Sequence, residues 1–191
     1  MENKVLLRDA TVADAPFIAR VVLAGIDMLD IEAEETDEQR SILVHLMDIC
    51  RMDDTLYSYK HTRVAELDGK AVGALIGYDG AQYVEMRTKT FGLVQQTSGL
   101  DLSKNAMETS AGEFYLDSMA ILPEYRGREI GLQLMRDRMD WAKRNGFEAV
   151  TLLVDKDKSH LQRYYESLSF VFREEIFVFG AWYNKMVSFC G

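Results

Sequence analysis

A run of apolar residues from Phe114 to Leu122 stops at Pro123, and within a few residues the chain passes Gly127 and Gly131 into an amphipathic stretch that reaches Asn145. Proline cannot continue a central ladder, so the strand must end there. A strand that feeds a glycine-bearing turn and then a helix narrows the choice of fold more than anything else in the chain. The unpaired N–H groups of the helix's first turn and the positive end of its dipole point to one place, which suits a phosphate group. Arg126 and Arg128 add positive charge beside the two glycines. Without supporting elements around it, the same stretch would be a plain turn with two solvated arginines.

The remaining elements supply that support. Val5 to Arg8 reads as a strand. Thr11-x-x-Asp14 and Pro16 open a helix that runs to about Ala24. Asp27 to Glu38 is the most acidic stretch, and it enters a second helix through the capping pair Thr36 and Gln39. Ile42, Leu43, Leu46, Met47 and Cys50 share one face of that helix. Arg63–Leu67 and Ala71–Tyr78 read as a hairpin around Asp68-Gly69. Gly80 to Gly112 is the least legible part, with weak helical periodicity from Tyr83 to Val94. In the helix after the glycine turn, Leu132, Met135, Met139 and Ala142 form the inner stripe, and Gly146 marks its end. Ala149–Val154 is a nearly unbroken apolar strand, hence a central one. A short helix from Ser159 to Leu168 and two strands around Gly180 complete the chain. Strands and helices mixed in this order predict an α/β or α+β domain.

At 191 residues the chain has enough length for one domain spanning 1–191 with a full core. Its formal charge of −9, from 22 basic and 31 acidic residues, argues against nucleic acid as a partner. No apolar run is long enough for a bilayer helix, so no membrane partner is expected. Met1 to Val5 lacks a basic-then-apolar leader pattern, and a cytoplasmic place is expected. Cys50 and Cys190 are read as reduced thiols without metal spacing. His45, His61 and His160 form no cluster, so no metal is expected.

Taken together, these residues resemble the GNAT superfamily of N-acetyltransferases. Leu116 through Gly131 matches that family's strand, Arg/Gln-x-x-Gly-x-Gly/Ala turn and helix. Tyr165-Glu166-Ser167-Leu168-Ser169-Phe170 matches its Tyr-x-x-x-Gly-Phe signature, and Leu7 to Thr11 its usual start. The resemblance covers essentially the whole chain. It departs at Glu129 and Ser169, which stand where the family has glycine, and at Lys158, which stands where it often has asparagine. A carboxylate about 6 Å from a phosphate charge costs roughly 1–3 kcal/mol at effective dielectrics of about 20–60. Glu129 is therefore expected to weaken coenzyme A binding without abolishing it.

The resemblance implies a mixed, mostly antiparallel sheet splayed at its two central strands and flanked by helices. It implies acetyl-CoA as cosubstrate, an amine-bearing acceptor, direct transfer without an acyl-enzyme, and compatibility with a homodimer formed at the last strand as an edge. An acyl-CoA sensor or assembly module on the same fold is the alternative. Arg126, Gly127, Arg128, Glu129, Ile130 and Gly131 would hold the diphosphate, with Lys158 nearby. The backbones of Met119 and Ile121 would pair with the pantetheine arm. Tyr165 would serve as general acid, with Tyr164 and Tyr165 about 100° apart on their helix. Strand alternation puts Glu113, Tyr115, Asp117 and Met119 on one face, which leaves Glu113 and Asp117 both open as the base that deprotonates the amine. The acceptor side is expected in 25–59 and 80–112, with Tyr57, Tyr59 and Tyr83 beside the acidic run suiting a cationic amine.

Overall fold

A computed structural model of the chain describes residues 4–191, so the leader-free reading of Met1 to Asn3 lies outside the described residues. Seven strands form one sheet: β1 (Leu6–Asp9), β2 (Thr62–Leu67), β3 (Lys70–Asp79), β4 (Glu113–Ile121), β5 (Ala149–Asp155), β6 (Val171–Val178) and β7 (Ala181–Phe189). Their spatial order is β1-β2-β3-β4-β5-β7-β6. Every described neighbour pair is antiparallel except β4 with β5. The edge expected at the last strand belongs instead to β6. β7 turns back beside β5, whose apolar run needs a partner on each side.

Five helices flank the sheet: α1 (Ala15–Gly25), α2 (Asp37–Arg51), α3 (Tyr83–Ser98), α4 (Ile130–Arg144) and α5 (Ser159–Ser167). The capping pair before α2 forms as read. Thr36 Oγ1 accepts from Gln39 N–H at 3.2 Å, and Gln39 Oε1 accepts from Thr36 N–H at 3.0 Å. The β2–β3 hairpin turns through Asp68 and Gly69, at φ of 51° and 79°, the mirror-image geometry that suits strand twist. α1, α2 and α3 cover one face of the sheet around Ile18, Leu46, Tyr78 and Phe91. α4 and α5 cover the other around Phe114, Leu134, Met135 and Leu152.

α3 coincides with the weak helical periodicity read from Tyr83 to Val94. It is a full helix, yet it buries Arg87 and Thr90 along with Tyr83, Met86 and Phe91. Arg87 lies over the Phe91 ring and donates to the carbonyl of Asn105 at 2.6 Å. Thr90 Oγ1 donates to Met86 C=O at 2.8 Å and accepts from Leu56 N–H at 2.9 Å. Polar residues on the inward face blur the apolar period that reveals a helix.

β4 carries the irregularity that shapes the functional end of the sheet. Gly77 faces Leu116 and Leu75 faces Met119, so Asp117 and Ser118 together stand opposite Ile76. This is a β-bulge: one extra residue bends the strand and shifts its alternation. The pairing of β4 with β5 ends at Leu116 and Leu152. Before the bulge, Tyr115 faces the α1–α3 side, and after it Ala120 does. Met119 and Ile121 turn toward α4 instead, where Gly131 approaches the Met119 side chain. The face expected to join Glu113, Tyr115, Asp117 and Met119 therefore breaks at Asp117.

Both positions where the family's glycine is replaced adopt the left-handed backbone that glycine tolerates. Glu129 has φ of 59° and Ser169 has φ of 69°. An L-residue there costs roughly 1–2 kcal/mol, and glycine returns about 0.5–1 kcal/mol of unfolded-chain entropy. Glu129→Gly and Ser169→Gly are each expected to stabilise the chain slightly, raising the thermal midpoint by about 2 °C. Differential scanning calorimetry of the two variants checks this, and a lowered midpoint in both would contradict the strain argument.

Candidate active site

Where β4 leaves β5, a cleft of about 250 Å³ opens. Its floor is Asp117, Ser118 and Met119 of β4 and Leu153 to Asp155 of β5. Gly25 and Asp27, at the end of α1, form one wall, and Leu161 and Tyr165 of α5 form another. Tyr183 of β7 closes the far side. Gly25 fits closely over the bulge. A Cβ there would meet Ser118 Oγ at 3.1 Å, so the bare backbone lets α1 reach the strand.

The glycine turn lies beyond the other end of β4. A single 3₁₀ turn, Pro123–Tyr125, leads into Arg126 and then Gly127 at φ of 74°. Among the described residues, no backbone hydrogen bond engages the N–H groups from Gly127 to Leu132, and the first helical donor is Gln133 N–H to Glu129 C=O at 2.9 Å. These are the unpaired donors of a helix N-terminus, which water or an anion can accept from. Arg126 Nε donates to Ile121 C=O at 3.1 Å and so braces the turn against its strand. Arg128 lies over the Tyr125 ring, 5.3 Å from its centroid. The Glu129 side chain is exposed, Ile130 is buried against the core, and Gly131 sits over Met119. Lys158 stands at the N-terminal cap of α5, on the cleft, with its Nζ bonded to the carboxylate of Asp27.

Tyr165 lines the cleft and packs between Tyr164 and Phe170, at ring separations of 5.5 and 6.0 Å. Burial, and then the neighbouring Tyr164, push its phenol up to about 12. It stays protonated throughout the physiological range.

The two carboxylates read as candidate bases are separated by the structure. Glu113 sits at the start of β4, away from the lining of the cleft. Its Oε2 accepts from Lys185 Nζ at 2.8 Å, Thr109 Oγ1 at 2.9 Å and Thr151 Oγ1 at 3.2 Å. Burial pushes its acidity toward neutral, but the Lys185 ammonium and the two hydroxyls outweigh burial and hold it below the usual carboxylate range. Asp117 is on the cleft. Its Oδ2 accepts from Tyr78 OH at 2.7 Å and its Oδ1 from Ser118 Oγ at 2.7 Å. Dense surroundings without a cation raise its proton affinity despite those two donors.

A third carboxylate, unmarked in the sequence, stands behind Asp117. Glu108 is buried in the loop after α3, where Oε1 accepts from Tyr83 OH and Oε2 from Tyr115 OH, both at 2.8 Å. Burial, and next the charge of Asp117, raise it to about 7 against those hydrogen bonds and Arg87. Tyr83 is thus committed to the core, stacked on Tyr78 with ring centroids 6.2 Å apart, and does not face an acceptor as expected. Tyr59 is engaged with Asp53 at 2.9 Å, and Tyr57 packs against the core. Within the acidic run, Asp27 lines the cleft, whereas Glu35 pairs with Arg20 and Asp37 with Arg40. Neighbouring apolar residues give Glu108 no motif. A carboxylate two residues after an alanine in an illegible loop carries no signal that sequence reasoning could use.

The β6–β7 hairpin that carries Tyr183 is tied down as well. Asn105 Oδ1 accepts from Phe179 N–H at 2.7 Å, and the Phe179 ring meets Phe91 of α3.

The sequence pattern of the acetyltransferase (GNAT) family matches residues 27–170. No curated protein matches the chain by sequence. A crystal structure of an acetyltransferase superposes with a TM-score of 0.76 at 28% identity, covering 97% of this chain and 100% of that one. An N-acetyltransferase from Staphylococcus aureus Mu50 gives 0.76 at 22% identity, with 95% and 99% covered. The PaiA N-acetyltransferase from Thermoplasma acidophilum, solved in complex with coenzyme A, gives 0.58 at 14% identity, with 97% and 99% covered.

The ion pair of Glu113 and Lys185 yields a prediction about stability. Removing one partner of a buried pair costs about 3–5 kcal/mol, so Glu113→Gln is expected to destabilise the chain by roughly that amount in urea denaturation. The wild-type carboxyl has a lowered pKa in the folded state. Its contribution is present above the unfolded value and is lost as pH falls through the folded one. Glu113→Gln should therefore flatten the acid side of the stability profile, and an unchanged profile would rule the pair out as its source.

Proposed function

Because the chain belongs to the acetyltransferase (GNAT) family and is thereby an acyltransferase, we propose that it transfers an acetyl group from acetyl-CoA directly to an amine held in the cleft beside Asp117. The observation that carries this reading is the parting of β4 from β5. It leaves a strand edge, the Asp117 carboxylate and the Tyr165 phenol on one cleft, with an open helix N-terminus beyond the strand's end. The PaiA relative, which is solved with coenzyme A, supports the ligand.

The N–H groups from Gly127 to Gly131 would take the diphosphate, with Arg126 and Arg128 adding charge. The backbones of Met119 and Ile121, past the last β5 partner, would pair with the pantetheine arm. N–H groups turned out of the ladder near the bulge are the candidates for stabilising the oxyanion. Lys158 would meet the coenzyme at the cleft mouth.

An alkylammonium near pKa 10 must lose its proton before it can attack. Asp117, at the cleft and raised in proton affinity, is preferred over Glu113, which Lys185 already neutralises. The first ammonium proton leaves through Asp117 to solvent, which restores the carboxylate. The amine nitrogen then bonds to the thioester carbon, its second proton passes to Asp117, and the C–S bond breaks to release the coenzyme as its thiolate. Tyr165 supplies a hydrogen bond to the leaving sulfur. Its phenol near 12 is a weaker acid than a thiol near 8.5, so this group stabilises the thiolate more than it gives up its proton. The carboxylates Asp27, Asp117 and Asp155 favour an acceptor that arrives as a cation. No helix among the described residues is long and apolar enough to cross a membrane, and a cytoplasmic setting agrees with the reaction.

Thiol release from acetyl-CoA across a panel of primary amines tests the reading. Asp117→Asn is expected to lower kcat/KM by about 10²-fold or more. Tyr165→Phe should lower kcat about tenfold or more with little change in acetyl-CoA affinity. Wild-type turnover in Asp117→Asn would remove the aspartate from the mechanism. Glu129→Gly should tighten acetyl-CoA binding in calorimetry, because it removes a carboxylate from the phosphate turn. Loss of affinity would contradict that placement.

A further inference from the structure

Half-buried Asp117 on the cleft floor and buried Glu108 behind it stand on the same side of β4, connected through packed phenols. Asp117 is held by Tyr78 and Glu108 by Tyr115, and the rings of Tyr78 and Tyr115 lie 5.6 Å apart. Tyr83 joins from α3, bonded to Glu108 and stacked on Tyr78. On the cleft side, Asp117 shares its surroundings with Asp27, Asp155, Tyr165 and Lys158, whose Nζ is bonded to Asp27. From α3 come Tyr83 and Arg87, and the Arg87 guanidinium is turned to the carbonyls of Leu102, Ser103 and Asn105. From β3 comes Tyr78, with His61 edge-on against its ring, and from β4 come Tyr115 and Ser118. Tyr57 and Tyr183 also sense Glu108, and Tyr57 senses Asp117 as well. The cluster contains no bonded ammonium or guanidinium. Two full negative charges there would repel each other, offset only by hydroxyl donors and by Arg87, which is not bonded to either carboxylate.

We propose that Glu108 is a positioning residue for acetyl transfer: it and Asp117 carry one proton between them, which rests on Glu108 and leaves Asp117 as the free carboxylate at the cleft. This rests on the reading of Asp117 as the base. With the proton on Glu108, one of its two phenol contacts reverses, and the carboxyl O–H donates to a tyrosine oxygen. The neutral acid spares Asp117 a second charge nearby. Raised pH ionises Glu108, and the new charge increases the proton affinity of Asp117. The two titrate as a pair. The elevation of Glu108 to about 7, with the Asp117 charge as its second cause after burial, agrees with this arrangement.

Difference infrared spectroscopy of the protein alone, without any acceptor, reads the carboxylic C=O band directly. Below neutral pH the wild type should show a protonated carboxyl that disappears with a midpoint near neutrality. Glu108→Gln should abolish that band. Asp117→Asn should leave it but lower its midpoint by about one pH unit or more, since that is the coupling that defines an interacting pair. Tyr115→Phe, which deprives the Glu108 carboxylate of a donor, should move the midpoint up. Should Asp117→Asn fail to fold, Asp117→Ser asks the same question. An unchanged midpoint in the Asp117 variant, or a band that survives in Glu108→Gln, overturns the proposal. The infrared result is independent of turnover. Coupled midpoints with full activity in Asp117→Asn would sink the base assignment and leave the pair standing, whereas lost activity with independent midpoints would do the reverse.

Discussion

The structure depends on one interruption in hydrogen bonding. Two central strands that pair in parallel as far as Leu116 and Leu152 separate where β4 takes an extra residue. In a continuous sheet the edge of β4 would be consumed by β5 and no ligand could reach it. The bulge frees that edge, opens the space that α5 and the end of α1 border, and turns Met119 toward the helix that opens at the glycine turn. The proposed cofactor and acceptor sides thus both depend on the same local distortion.

The glycine turn was legible because it is written locally. Pro123, Gly127 and Gly131 mark a strand end and a helix start, so element type alone locates the unpaired N–H groups proposed to hold the diphosphate. Even the departures at Glu129 and Ser169 were informative. Both retain the left-handed geometry of the glycines they replace, which means the shape of the turn outweighs the preference of the residue.

The acceptor side was only partly legible, and the reasons are physical. Alternation along β4 predicted faces correctly up to Asp117 and failed after it, because a bulge has no signature in periodicity alone. α3 was faint because Arg87 and Thr90 point inward and satisfy their polar groups on nearby backbone. Glu113 and Asp117 looked equivalent in sequence, and they differ only in what lies across from them. Lys185 of β7 answers the first, and tyrosines from β3 and β4 surround the second. Glu108 depends on contacts that close over long sequence separations, which no local pattern encodes.

The tie between Asn105 and Phe179 has a consequence for how an acceptor is chosen. The hairpin bearing Tyr183 is bolted to the segment that follows α3, and that segment also carries Glu108. That bond and the Phe91–Phe179 ring contact brace this border of the cleft. On the proposed reaction, an amine would have to match the contour this brace holds. Discrimination then falls on size and on where the charge sits, and the penalty for a poor fit appears at entry, before any bond to carbon begins to form.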